Sequence, residues 1–137
     1  MKTISTYVSF LLVIALFISL LSCRNDLNNN TTDFLILVDS IKAPDTVRYL
    51  ASFDIDFFGT VGFNTCNKFI SFNVIKKDND ISIETWGTSD YKPGQCSDTL
   101  ITLDGQKLNL TLPAPGIYKI TVIEPVDFTL VKQITVY

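Results

Sequence analysis

Across residues 47–58 the chain alternates: Val47, Tyr49, Ala51, Phe53, Ile55 and Phe57 are interleaved with Arg48, Leu50, Ser52, Asp54, Asp56 and Phe58. Successive side chains of an extended strand point to opposite faces, so a period of two predicts a half-buried strand, with defects at Leu50 and Phe58. Further strand-like runs are predicted over 34–39, 68–76, 81–86, 100–103, 107–112, 117–123 and 128–136. Turn chemistry punctuates them at Ala43-Pro44-Asp45, Lys77-Asp78-Asn79-Asp80, Asp104-Gly105, Pro113-Ala114-Pro115-Gly116 and Glu124-Pro125. No segment long enough for a helix repeats at 3.6 residues. About seven or eight short strands at this spacing predict an all-β fold, a sandwich of antiparallel strands.

Composition removes several chemistries. The 137 residues contain no histidine, which excludes the usual neutral-pH general base, the Ser/His/Asp and Cys/His arrangements and every histidine-bearing metal site. The formal net charge is −3, so nucleic acid is not an expected partner, because such binders draw affinity from a basic patch.

The amino-terminal segment has a layout of its own. Lys2 precedes an uncharged apolar run from Tyr7 to Leu21, broken only by Ser9 and Ser19, and Ser22 follows. This is the three-part layout of a secretory signal. The 21 uncharged residues between Lys2 and Arg24 also exceed the about 20 that span a bilayer, so an uncleaved helix, or ordinary cleavage, is the alternative. Leu20-Leu21-Ser22-Cys23 resembles the lipobox of bacterial lipoproteins, in which a peptidase cuts before an acylated cysteine. The resemblance implies a signal peptide over 1–22, a lipidated Cys23 carrying palmitate-like chains, and membrane attachment without a spanning segment. Two or more chains anchor stably where one binds only marginally. Arg24 after the cysteine matches the pattern that favours the outer membrane in gram-negative lipoproteins. Residues 24–33, rich in asparagine and with Leu27 as their one aliphatic side chain, read as a tether, which leaves 34–137 for the folded domain.

Leu112-Pro113-Ala114-Pro115-Gly116-Ile117-Tyr118-Lys119-Ile120-Thr121-Val122 is similar to the proline-glycine turn and tyrosine-bearing strand of fibronectin-type and bacterial immunoglobulin-like domains. That resemblance implies an immunoglobulin-like sandwich and a Tyr118 hydroxyl tied back to neighbouring backbone. With the lipobox and tether, the whole resembles small single-domain lipoproteins of Bacteroidetes, most of which have no assigned activity.

Once Cys23 is lipidated, Cys66 and Cys96 remain, and an even pair in an exported chain reads as a disulfide. Neither cysteine has a histidine partner or Cys-x-x-Cys spacing, so neither reads as catalytic. Asp54 and Asp56 share a strand face about 6.6 Å apart, near the spacing of an inverting glycosidase pair, but any solvated strand face produces the same spacing. Asp78-Asn79-Asp80 lacks the glycine and distal glutamate of a calcium loop and reads as a hairpin turn. No catalytic residue, metal or cofactor is expected.

The stretch from Trp86 to Cys96 is the most loop-like in the domain and carries the only tryptophan together with Tyr91. Trp86 and Tyr91 are the candidate binding residues, since ring faces on a pinned loop suit a glycan or a protein partner. The competing reading makes Trp86 a cover for the disulfide or a cap on the core. Alternation points the other way, with Ile81, Ile83 and Thr85 on one face and Trp86 opposite with Ser82 and Glu84. The expectation is a non-enzymatic, membrane-anchored binding module at the cell envelope. The alternatives are a structural accessory subunit of an envelope complex or an inhibitor of lytic enzymes.

Overall fold

The computed structural model describes residues 31–126 and 128–137. The apolar run over 7–21, Cys23 and the tether up to Asn30 lie outside the described residues. Among the described residues there are ten strands and no helix: β1 (Thr31–Leu35), β2 (Leu37–Lys42), β3 (Thr46–Val47), β4 (Ser52–Asn64), β5 (Asn67–Lys77), β6 (Asp80–Asp90), β7 (Asp98–Thr102), β8 (Gln106–Thr111), β9 (Gly116–Ile123) and β10 (Thr129–Val136). They form two sheets that face each other across one apolar core. Strand β1 begins at Thr31, so the last three residues expected in the tether belong to the fold.

The strand number exceeds seven or eight because two predicted runs divide where the chain changes sheet. The run over 34–39 breaks at buried Ile36, whose N–H donates to the Thr85 carbonyl at 2.8 Å; β1 lies in the first sheet and β2 in the second. The run over 47–58 breaks at the predicted defect. Leu50 has a φ of 58°, a left-handed conformation uncommon for a side chain of this kind, and the Ala51 N–H closes a turn onto the Arg48 carbonyl.

In the first sheet β5 covers one edge of β6 along its whole length, while β9 and β1 share the other edge end to end. Strands β10 and β3 extend the sheet beyond β9. In the second sheet β2 lies on one edge of β4, and β8 and β7 share the other. The expected antiparallel pairing fails at two contacts, since β6 pairs β9 and β10 pairs β3 in parallel. In both cases the chain passes through the opposite sheet between the two partners and returns in the same direction, as a parallel pair requires. The Asp104-Gly105 turn likewise does not reverse the chain: β7 and β8 run the same way along β4, separated by a kink in which both turn residues have positive φ.

Alternation places the core. Phe53, Ile55, Phe57 and Val61 of β4 face Ile81 and Ile83 of β6, Ile120 and Val122 of β9 and Ile134 of β10, all buried. A Cβ at Gly59 would overlap the Leu37 carbonyl oxygen, so only glycine lets β2 approach β4 where its register shifts. Tyr118 is buried, and its hydroxyl donates to the Ala114 carbonyl at 3.1 Å, the tie-back that the 112–122 resemblance implies.

Candidate functional site

Trp86 sits in strand β6, within the predicted run over 81–86, and the strand continues through Asp90, which corrects the reading of 86–96 as loop-like throughout. The segment Trp86-Gly87-Thr88-Ser89-Asp90 has little apolar alternation, yet it is held extended because β5 and β1 satisfy its two edges. Gly87 is the reason β1 fits there: a Cβ would press on the Phe34 ring and Ile36. The irregular part of the connection is 91–97.

Half-buried Trp86 occupies the outer face of the first sheet, opposite Ile81, Ile83 and Thr85, as alternation predicted. Directly opposed residues share a face, so its lateral neighbours are Ser71 on β5 and Leu35 on β1. One strand step away, Glu84 is flanked by Asn73 and Ile123. The indole Nε1–H donates to Glu84 Oε2 at 3.0 Å, and Asn73 Nδ2 donates to the same oxygen at 2.9 Å. These two hydrogen bonds, Asn73 first and Trp86 second, hold the Glu84 carboxyl below its ordinary value. The site is thus an indole fixed in orientation by a charged acceptor, in the middle of a broad sheet face. A register shift between Phe69 and Ser71 turns both Phe69 and Phe72 toward the core and leaves the small Ser71 beside the indole.

Tyr91 does not join this cluster. It is 54% exposed at the start of the 91–97 connection, beyond the end of β6 and roughly 17 Å along the chain from Trp86 at strand rise. That end of the sandwich is closed by the Cys66–Cys96 disulfide, with a Cα–Cα separation of 5.4 Å. Two bonds reinforce it: Thr65 N–H to the Ser97 carbonyl and Ser97 N–H to Thr65 Oγ1, each 3.0 Å. The disulfide therefore lies at one end of the sandwich and Trp86 on a sheet face, so the indole does not take the role of a core residue covering it.

Sequence reasoning missed three residues as site candidates. Asn73 is found only through the β5–β6 register, and the bond from the indole to Glu84 only through the structure, although alternation already put Glu84 on the face of Trp86. Phe63, 76% exposed near the disulfide, is an aromatic residue past the last core position of β4. The acidic pair behaves as a solvated strand face. Lys107 Nζ bonds Asp56 Oδ1 at 2.7 Å and lies 3.8 Å from Asp54 Oδ2, while Asn109 donates to Asp54. The Asp56 hydrogen bond and charge, with a smaller contribution from Asp54, raise the Lys107 ammonium above its ordinary value. Asp78 and Asn79 form the two-residue turn between β5 and β6. Among the described residues no cluster of three His, Cys, Asp or Glu side chains is placed to hold a metal.

Glu124 is a buried carboxyl that the sequence pattern showed only as part of a turn. Its Oε2 accepts from the Val38 N–H at 3.0 Å, and Oε1 has no partner among the described residues. Burial is the largest influence and raises its pKa, opposed by the Val38 bond and reinforced by the Asp39 charge. Since the folded chain holds this proton more tightly than the unfolded chain, the contribution is fully present below the unfolded pKa and is lost as pH rises through the folded one. Glu124→Gln keeps an acceptor for Val38 and removes the charge. Its melting temperature should exceed that of the wild type at neutral pH, and the difference should close as the pH falls below the ordinary carboxylate range; thermal unfolding across pH checks this.

No family model, no curated protein and no solved structure matches the chain.

Proposed function

We propose that the protein is an exported lipoprotein, anchored to the outer membrane through acylated Cys23, whose domain is a non-enzymatic binding module for a glycan or protein. The observation that carries the binding reading is the partly buried Trp86 indole, oriented by Glu84 and Asn73 on a sheet face. An aromatic face with a fixed acceptor and amide beside it presents stacking area and hydrogen-bonding groups together, at small entropic cost. The Tyr118 tie-back and the turn before it support an immunoglobulin-like type for the sandwich. The anchor reading is supported by the lipobox ending at Cys23.

Trp86 is the only tryptophan, so intrinsic fluorescence reports on this site alone. Defined envelope oligosaccharides and purified envelope proteins are titrated against the full chain, with calorimetry for the variants. Trp86→Ala is expected to weaken the ligand about 30-fold or more, equivalent to about 2 kcal/mol, while stability changes by about 1 kcal/mol or less. A stability loss of about 3 kcal/mol or more would instead make the indole a packing residue and remove the site.

A further inference from the structure

We infer that the disulfide end of the sandwich rests in the phospholipid headgroup region of the membrane that carries the anchor, with Phe63, Tyr91 and Leu100 as the inserted side chains. The inference rests on the reading of Cys23 as the acylated residue. Three observations carry it. First, the chain enters the fold at this end: Thr31, the first residue of β1, pairs with Asp90, the last residue of β6. Second, the same end displays Phe63, Tyr91 and Leu100, which are 76%, 54% and 57% exposed. They flank the segments joined by the Cys66–Cys96 bond and the Asn64–Asp98 pairing, which gather them into one platform at this end.

Third, the reach of the chain selects this end over the other. Eight residue steps separate Cys23 from Thr31, a span of at most about 29 Å. The eleven residues of β6 extend roughly 33 Å, so a domain standing on its opposite end would hold Thr31 about 33 Å above the surface, out of reach. The opposite end also exposes apolar side chains, Tyr49, Leu50 and Tyr137, and chain length alone keeps these from the bilayer. Lying on the second sheet would press Asp54, Asp56 and Lys107 into the interface, and lying on the first would press Glu84 and Lys119 into it. Near the proposed contact, Lys92 is paired with Asp90, and Lys68 and Asp33 flank Thr88 from the two edges of β6. The platform has no excess of positive charge, so apolar contact, not attraction to anionic lipid, drives it. This orientation leaves the face bearing Trp86 perpendicular to the membrane and open to a partner.

The test uses the full chain purified from membranes and reconstituted into phosphatidylcholine vesicles containing brominated acyl chains. In a Trp86→Phe background a single tryptophan is placed by Phe63→Trp at the proposed contact or by Leu50→Trp at the far end, with Tyr91→Trp as a second reporter at the contact should Phe63→Trp fail to fold. Quenching at position 63 or 91 is expected to exceed that at position 50 about threefold or more and to be the same at low and high salt. Intact mass of the same sample reports the acyl chains on Cys23. Equal quenching at the two ends, or none at either, in acylated protein overturns the docking and leaves the anchor standing; protein without acyl chains overturns both. Concentration-dependent dimers in detergent that Phe63→Asp abolishes would assign the platform to a second copy and overturn the inference.

Discussion

Replacing Cys66 and Cys96 together with alanine is expected to lower the stability of the domain by about 3.6 kcal/mol, the loop-closure entropy that a 30-residue cross-link removes from the unfolded chain. For a domain of this length that corresponds to a fall of about 15–25 °C in melting temperature. The bond joins the β4–β5 and β6–β7 connections, neither of which buries much apolar surface, so little else in the folded state compensates for its loss. Urea unfolding of the variant, compared with the wild type before and after reduction, checks the value, and reduced wild type should coincide with the variant. A loss below about 1 kcal/mol would mean that the Thr65–Ser97 bonds alone close this end, since two hydrogen bonds contribute about that much net.

Phe57→Ala should cost about 3–5 kcal/mol. Phe57 is 0% exposed and projects from the second sheet, where its ring centroid lies 4.6 Å from that of Phe72 in the first; Phe72 in turn lies 4.9 Å from Phe69. Truncation therefore removes the aromatic contact that bridges the sheets and leaves a cavity between strands too well pinned to collapse onto it. The neighbouring Phe58 points outward and is 36% exposed, so Phe58→Ala should cost about 1 kcal/mol or less. Equal costs at positions 57 and 58, read from the same unfolding curves, would contradict the alternation on which the fold is built. Either large loss is a substantial fraction of the about 5–15 kcal/mol that holds a domain together.

The proposed membrane contact and the proposed site on the sheet face divide the surface between them. Tyr91, paired with Trp86 as a binding residue on sequence grounds, lies with Phe63 and Leu100 at one end of the sandwich, whereas the indole lies with Glu84 and Asn73 on a sheet face. The separation follows from β6 continuing to Asp90, which carries Tyr91 past the end of the sheet.

What the amino-acid sequence determined by itself is what period two and local chemistry encode. The inward set Phe53, Ile55 and Phe57, the outward placement of Asp54 and Asp56, and Trp86 opposite Ile81, Ile83 and Thr85 all follow from side chains alternating across a strand. The turn at Asp78-Asn79 and the break at Asp104-Gly105 follow from turn chemistry, the break at Leu50 falls at a defect in the alternation, and the Cys66–Cys96 pairing follows from parity once Cys23 is set aside. Tertiary structure alone decided which strands became neighbours. The sheet change at Ile36, the parallel pairing of β6 with β9, the extension of β6 through Gly87 under the Phe34 ring, the burial of Glu124 against Val38 and the gathering of Phe63, Tyr91 and Leu100 at one end leave no local pattern. The physical reason is range: alternation is set by the backbone geometry of adjacent residues, whereas a strand's neighbours are set by how segments far apart in the chain close over a shared core.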